Sequence, residues 1–123
     1  MSKILLVEDD SNQAVLYQQE LEADGYDVVL AENGREAIQK VEESRPDLIV
    51  MDVSMPGMDG IEAMGRILSE HNTLPVILNT AYSSYKDNFL SWSADAYVIK
   101  SSDLEELKAA IKKLLKKSEA DEA

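Results

Sequence analysis

Six residues of this chain carry side chains suited to metal or phosphoryl chemistry and share one kind of position. Glu8, Asp9 and Asp10 follow the aliphatic run Lys3 to Val7, Asp52 follows Asp47 to Met51, Thr80 follows Pro75 to Asn79, and Lys100 follows Ala96 to Ile99. If these runs are strands of one parallel sheet, each residue stands at a carboxyl edge, where open α/β sheets bind their ligands. If the first and third strands are also neighbours, Glu8, Asp9 and Asp52 meet although Asp9 and Asp52 are 43 residues apart. Two unit charges about 4 Å apart repel by about 4 kcal/mol at an effective dielectric of about 20, so such a cluster calls for a cation. A hard divalent ion fits, because Mg²⁺ takes a few carboxylate oxygens and fills its other positions with water and a substrate phosphate. Lys100 can then neutralise phosphoryl oxygens, the Thr80 hydroxyl can hydrogen-bond to one, and Asp52 is left as the nucleophile.

The elements that must position these residues alternate along the chain, β-like run and helical pattern in turn, which predicts a parallel sheet with helices on both faces. Lys3 to Val7 is nearly all aliphatic, as a strand buried on both sides must be, and Ser11 to Asp24 is helix-compatible and closed by Gly25. Asp27 to Ala31 is the second strand, Asn33-Gly34 a turn, and Glu36 to Glu43 a helix with Ala37, Ile38 and Val41 at helical spacing, stopped by Pro46. After the third strand, the loop Ser54-Met55-Pro56-Gly57-Met58-Asp59-Gly60 is dense in turn residues, and a helix follows from Ile61 to about Glu70. Ser83 to Trp92 is predicted to be a short fourth helix. Ser102 and Glu105 make a capping box for the last helix, whose stripe is Leu104, Leu107, Ile111, Leu114 and Leu115. Acids in its first turn and lysines beyond suit the helix dipole. Residues 118–123 are small and acidic, and are expected to be a frayed tail or the start of a linker after a single domain over 1–117.

Composition narrows the classes. The 123 residues are 45% apolar and 29% charged, ordinary values for one globular domain. A net charge of −12 argues against direct contact with a nucleic-acid backbone, and no apolar run is long enough for a signal peptide or a membrane span, so a cytoplasmic protein is expected. Without cysteine, disulfides and thiolate sites are excluded.

The ordered motifs Ile4-Leu5-Leu6-Val7-Glu8-Asp9-Asp10, Asp52-Val53-Ser54-Met55-Pro56-Gly57-Met58-Asp59-Gly60, Thr80-Ala81 and Tyr97-Val98-Ile99-Lys100 resemble those of response-regulator receiver domains, over Lys3 to about Leu115. The resemblance implies a flavodoxin-like (βα)5 three-layer sandwich with a parallel five-stranded sheet of order 2-1-3-4-5. It implies that Glu8 and Asp9 hold Mg²⁺ together with Asp52 and the backbone carbonyl of Ser54, and that Asp52 is the phosphoacceptor. Thr80 would be the switch hydroxyl, Lys100 the phosphate-contacting base, and Tyr97 the aromatic whose orientation reports the state. Asp10 would be a bystander. Ser54 and Tyr82 would flank the approach of hydrolytic water, and Tyr85, Trp92 and Tyr97 would lie near the output face. The phosphoryl donor would be a sensor histidine kinase or a histidine phosphotransfer protein, the recipient of the signal a downstream protein, and the state a monomer or a phosphorylation-dependent dimer. No catalysis beyond self-phosphorylation and autodephosphorylation is implied. Ser101 departs from the family, which usually has proline there, and a trans Lys100–Ser101 bond is expected because a non-prolyl cis bond costs about 3 kcal/mol.

Each residue alone has a plainer reading. Acids after a strand are commonly a solvated turn, threonine is common at strand ends, lysine is a common surface cation, and the methionines most often fill gaps in a core. His71, near a helix end, is favoured there by the dipole and is given no chemistry. The rival functions each lack something. A phosphatase working through an aspartyl phosphate normally has a second Asp where Ser54 stands, and a flavin site needs a Gly- or hydroxyl-rich loop where Glu8, Asp9 and Asp10 stand. A receiver kept only as an unphosphorylated scaffold, or one cut from a larger regulator with an output domain, stays as the alternative.

Overall fold

The structure is a computed structural model and describes residues 2–52, 60–80, 94–100 and 104–122. Along the chain run β1 (Lys3–Val7), α1 (Ser11–Ala23), β2 (Asp27–Ala31), α2 (Gly34–Ser44), β3 (Leu48–Met51), α3 (Gly60–Glu70), β4 (Val76–Thr80), β5 (Ala96–Ile99) and α4 (Glu105–Glu122). The five strands form one parallel sheet in the order β2-β1-β3-β4-β5. The predicted helix Ser83 to Trp92 and the capping residue Ser102 lie outside the described residues.

Burial on both faces explains why these strands are aliphatic runs. On one face Leu5, Val7, Ile49, Met51, Val76 and Leu78 pack against Ala37 and Val41 of α2 and Ala63, Met64 and Ile67 of α3. On the other, Ile4, Leu6, Leu48, Val50, Ile77 and Val98 pack against Tyr17 and Leu21 of α1 and Leu107, Ile111 and Leu115 of α4. The result is the three-layer flavodoxin-like sandwich.

Element ends follow local chemistry. Asp10 is the N-cap of α1, its Oδ1 accepting from the amides of Asn12 and Gln13 at 3.0 and 3.2 Å. After α1, Gly25 takes a positive φ of 97°, which a side chain would resist. α2 starts at Gly34, earlier than the expected Glu36, because Asn33 caps it by accepting from the Glu36 amide at 2.9 Å. β3 starts at Leu48 rather than Asp47, whose carboxylate instead accepts from the Lys3 amide at 2.8 Å. β4 runs Val76–Thr80, one residue later than expected: Pro75 has no N–H for the ladder, and Thr80 pairs with Ile99. α4 continues to Glu122, so the tail expected from residue 118 is largely helical; its Ala and Glu residues are good helix formers.

Ile111 is fully buried between α4 and the sheet. Ile111→Ala should cost about 3 kcal/mol of stability, read as a lower denaturant midpoint with an unchanged slope.

Candidate functional site

Strand pairing brings the carboxyl ends of β1 and β3 side by side. Val7 is in register with Met51, the Asp52 amide donates to the Val7 carbonyl at 3.1 Å, and the Glu8 amide donates to the Ala31 carbonyl at 3.0 Å. Side chains alternate along a strand, so residues two apart share a face. Leu6, Val50 and Val98 all belong to the core on the α1 and α4 side. Glu8, Asp52 and Lys100 each stand two residues beyond one of them, and the pleat carries that core face out to the sheet edge as a row of charge.

There the Lys100 ammonium donates to Glu8 Oε2 at 2.6 Å and to Asp52 Oδ2 at 2.9 Å. Glu8 and Asp52 are buried, at 4% and 7% exposure, whereas Asp9 is exposed. The Asp10 amide donates to the second Glu8 oxygen, Oε1, at 3.2 Å. Burial pushes the Glu8 carboxyl above its ordinary value, against the pull of its bond to Lys100. For Lys100, burial alone would lower the ammonium's pKa, but the hydrogen bonds to Glu8 and Asp52 outweigh it and the net direction is up. The two directions compete, since a protonated Glu8 would give up its half of the ion pair. The lysine's direction is the firmer one, because two carboxylates face its charge at short range.

Oxygens of Glu8, Asp9 and Asp52 lie within 4.8 Å of one another. Lys100 supplies one positive charge to these three carboxylates, so the group remains electron-rich and, through Asp9, open on its solvent side. Hard oxygen donors, few in number and with an open side, suit Mg²⁺ and not a soft metal.

Glu8, Asp9, Asp52 and Lys100 are thus brought together as the sequence predicted. Thr80 is the last residue of β4, next to the Lys100 strand. Tyr97, 9% exposed, packs into the core on the α2 and α3 side, across the sheet from Lys100. Ser54, Tyr82, Tyr85, Trp92 and the Lys100–Ser101 bond lie outside the described residues. The sequence reading gave Asp10 no role beyond a bystander's, whereas it caps α1 beside the acid cluster. The same reading passed over a pairing of His71 Nε2 with Glu42 Oε1 at 2.7 Å, close to Glu70. That pairing ties α2 to the end of α3, and the His71 hydrogen bond holds the Glu42 carboxyl below its usual range. A cavity of about 320 Å³ beside it, lined by Val41, Arg45, Pro46, Glu70, His71 and Leu74, opens at the amino edge of the sheet, away from the acids. Among the described residues, the carboxyl edge joins two buried carboxylates to a lysine ammonium, so that edge is taken as the site.

The family model of the response regulator receiver domain matches residues 4–112. The chain belongs to this family. The receiver is 39% identical over 119 residues to the alkaline phosphatase synthesis transcriptional regulatory protein PhoP of Bacillus subtilis, covering 95% of this chain and 50% of that protein. It spans about half the length of the curated relatives it matches. The crystal structure of the response regulator TrrA from Thermotoga maritima in complex with Mg²⁺-BeF is 43% identical, with a TM-score of 0.88 over 93% of this chain and 99% of that one. TrrA in complex with the histidine kinase ThkA also matches, at a TM-score of 0.86 over 94% of this chain and 99% of that one, again with 43% identity.

Removing the cation from this receiver's site exposes the cost of its acids. Lys100→Met should lower metal-free stability by about 2–3 kcal/mol at neutral pH, and adding Glu8→Gln should recover part of it. The deficit should shrink as falling pH protonates the acids. Thermal unfolding of the single and double variants across pH checks this; a Lys100→Met variant as stable as wild type at every pH would show that the ion pair is idle.

Proposed function

We propose that the chain is a phosphoacceptor domain of two-component signalling, which takes a phosphoryl group on Asp52 with Mg²⁺ and alters a protein-interaction surface in response. The observation that carries this reading is the buried Asp52 carboxylate, 2.9 Å from the Lys100 ammonium and beside Glu8 and Asp9. The match to a regulator crystallised with Mg²⁺-BeF and with a histidine kinase supports it.

Glu8, Asp9, Asp52 and the Ser54 carbonyl would hold the metal, which when bound neutralises charge on carboxylate and phosphoryl oxygens. An Asp52 oxygen attacks the phosphorus of a phosphohistidine on a sensor kinase or phosphotransfer protein. The phosphorus–nitrogen bond breaks, and the imidazole leaves with its electron pair and takes up a proton. Lys100, already on Asp52, needs only a short shift to pair with a phosphoryl oxygen, and the Thr80 hydroxyl binds another. Tyr97, with Tyr85 and Trp92, would carry the change to a downstream protein, in a cytoplasmic chain that stays monomeric or dimerises on phosphorylation. The receiver unit is assigned to 1–117, with the remainder leading into any output domain. No helix among the described residues is long and apolar enough to cross a membrane.

Incubation with Mg²⁺ and acetyl phosphate should add one phosphoryl mass to the wild type and none to Asp52→Ala. An increment kept in Asp52→Ala would move the acceptor elsewhere, and none in the wild type with any donor would favour a scaffold. Lifetime forms a separate expectation. Ser54 and Tyr82 offer neither carboxylate nor amide to orient a water, so the phosphoaspartate should be long-lived. Tyr82→Glu should dephosphorylate about tenfold faster, whereas equal rates in wild type, Tyr82→Ala and Tyr82→Glu would remove Tyr82 from the mechanism.

A further inference from the structure

Asn79 interrupts the apolar run Val76-Ile77-Leu78 of β4, and it is only 3% exposed. Ile77, two residues before it, and Val98, its register partner on β5, both pack on the α1 and α4 side. Alternation turns Asn79 to that same face. Carrying the Met51–Leu78 register on by one residue sets Asp52 opposite Asn79. Lys100 stands two residues beyond Val98 on the other flank. Glu8, Asp52, Asn79 and Lys100 thus occupy one face across β1, β3, β4 and β5 in turn.

That order has a consequence for reach. Lys100 is rooted at the end of β5, yet it bonds groups at the ends of β3 and β1. Neighbouring strands lie about 4.8 Å apart, so the lysine must extend across β4, and Asn79 is the polar residue that β4 turns to that face. A carboxamide this buried needs polar neighbours, and its face offers Asp52 in the same row on β3 and, diagonally on the β5 side, Lys100 two residues beyond its partner Val98.

We propose that Asn79 is a positioning residue for Lys100: it gives the lysine a short, polar crossing of β4 and so holds the ammonium on Asp52 and Glu8. This rests on the reading of the cluster as a Mg²⁺ and phosphoryl site. Lys100 and a divalent cation contend for the same carboxylate oxygens. Loosening the lysine therefore strengthens cation binding while it weakens charge stabilisation during transfer, whereas general damage to the site weakens both.

The test uses the full chain, calorimetric titration with MgCl₂ and phosphorylation by acetyl phosphate. Asn79→Leu, which places an apolar side chain of similar size in an apolar strand, should bind Mg²⁺ about fivefold tighter and phosphorylate about tenfold more slowly. Its melting temperature should be equal to or above that of the wild type. In a Lys100→Met background the same substitution should leave Mg²⁺ affinity unchanged, because the lysine it acts through is gone. Should Asn79→Leu fail to fold, Asn79→Ala is expected to show the same divergence. Wild-type Mg²⁺ binding with an unmoved or weakened affinity in the Asn79 variant overturns this inference alone, as does an equal effect with and without Lys100. A wild type that binds no Mg²⁺ overturns the functional reading and this inference with it.

Discussion

The ammonium of Lys100, held at 2.6 Å from Glu8 and 2.9 Å from Asp52, is the interaction on which the carboxyl edge of this sheet depends. Two buried carboxylates on adjacent strands would repel each other and resist desolvation, and a third, Asp9, stands close by. Lysine offsets part of that charge and leaves the rest for a second cation. The same contact gives the buried Asp52 carboxylate a cationic partner at 2.9 Å.

Position along the strands makes this contact possible. Glu8, Asp52 and Lys100 extend a core face built by Leu6, Val50 and Val98, so the packing that folds the sheet also aims the charges. A register slip of one residue would exchange that face for the opposite one, where Val7, Met51 and Tyr97 pack against the α2 and α3 layer. Specificity of the apolar core and geometry of the site are thus one constraint. Asp10 adds to it from the loop, capping α1 through its carboxylate while its amide fixes Glu8.

Much of this was legible in the residues. Aliphatic runs with no alternation marked strands covered on both faces, and the acids, the threonine and the lysine after them marked one edge. The order of the strands came from the resemblance to receivers, since periodicity says nothing about which strands are neighbours. The one-residue shift of β4 and the early start of α2 depended on a missing proline N–H and on a cap, and boundaries of that kind turn on single hydrogen bonds. The helical course of residues 118–122 was missed because composition was read there for charge and not for helix propensity. The bond from Lys100 to Glu8 as well as Asp52 could not be read from sequence, because it depends on how far a side chain reaches across β4. His71 with Glu42 was equally hidden: two exposed helix ends 29 residues apart leave no periodic trace.

The most direct test of the Lys100 clamp is nitrogen-15 NMR of its side-chain ammonium at neutral pH, during a Mg²⁺ titration. The expected result is a charged ammonium whose protons exchange more slowly than those of exposed lysines such as Lys112 and Lys116, with a signal that shifts as Mg²⁺ takes up the same carboxylates. An ammonium that exchanges like the exposed lysines and does not respond to Mg²⁺ would contradict it.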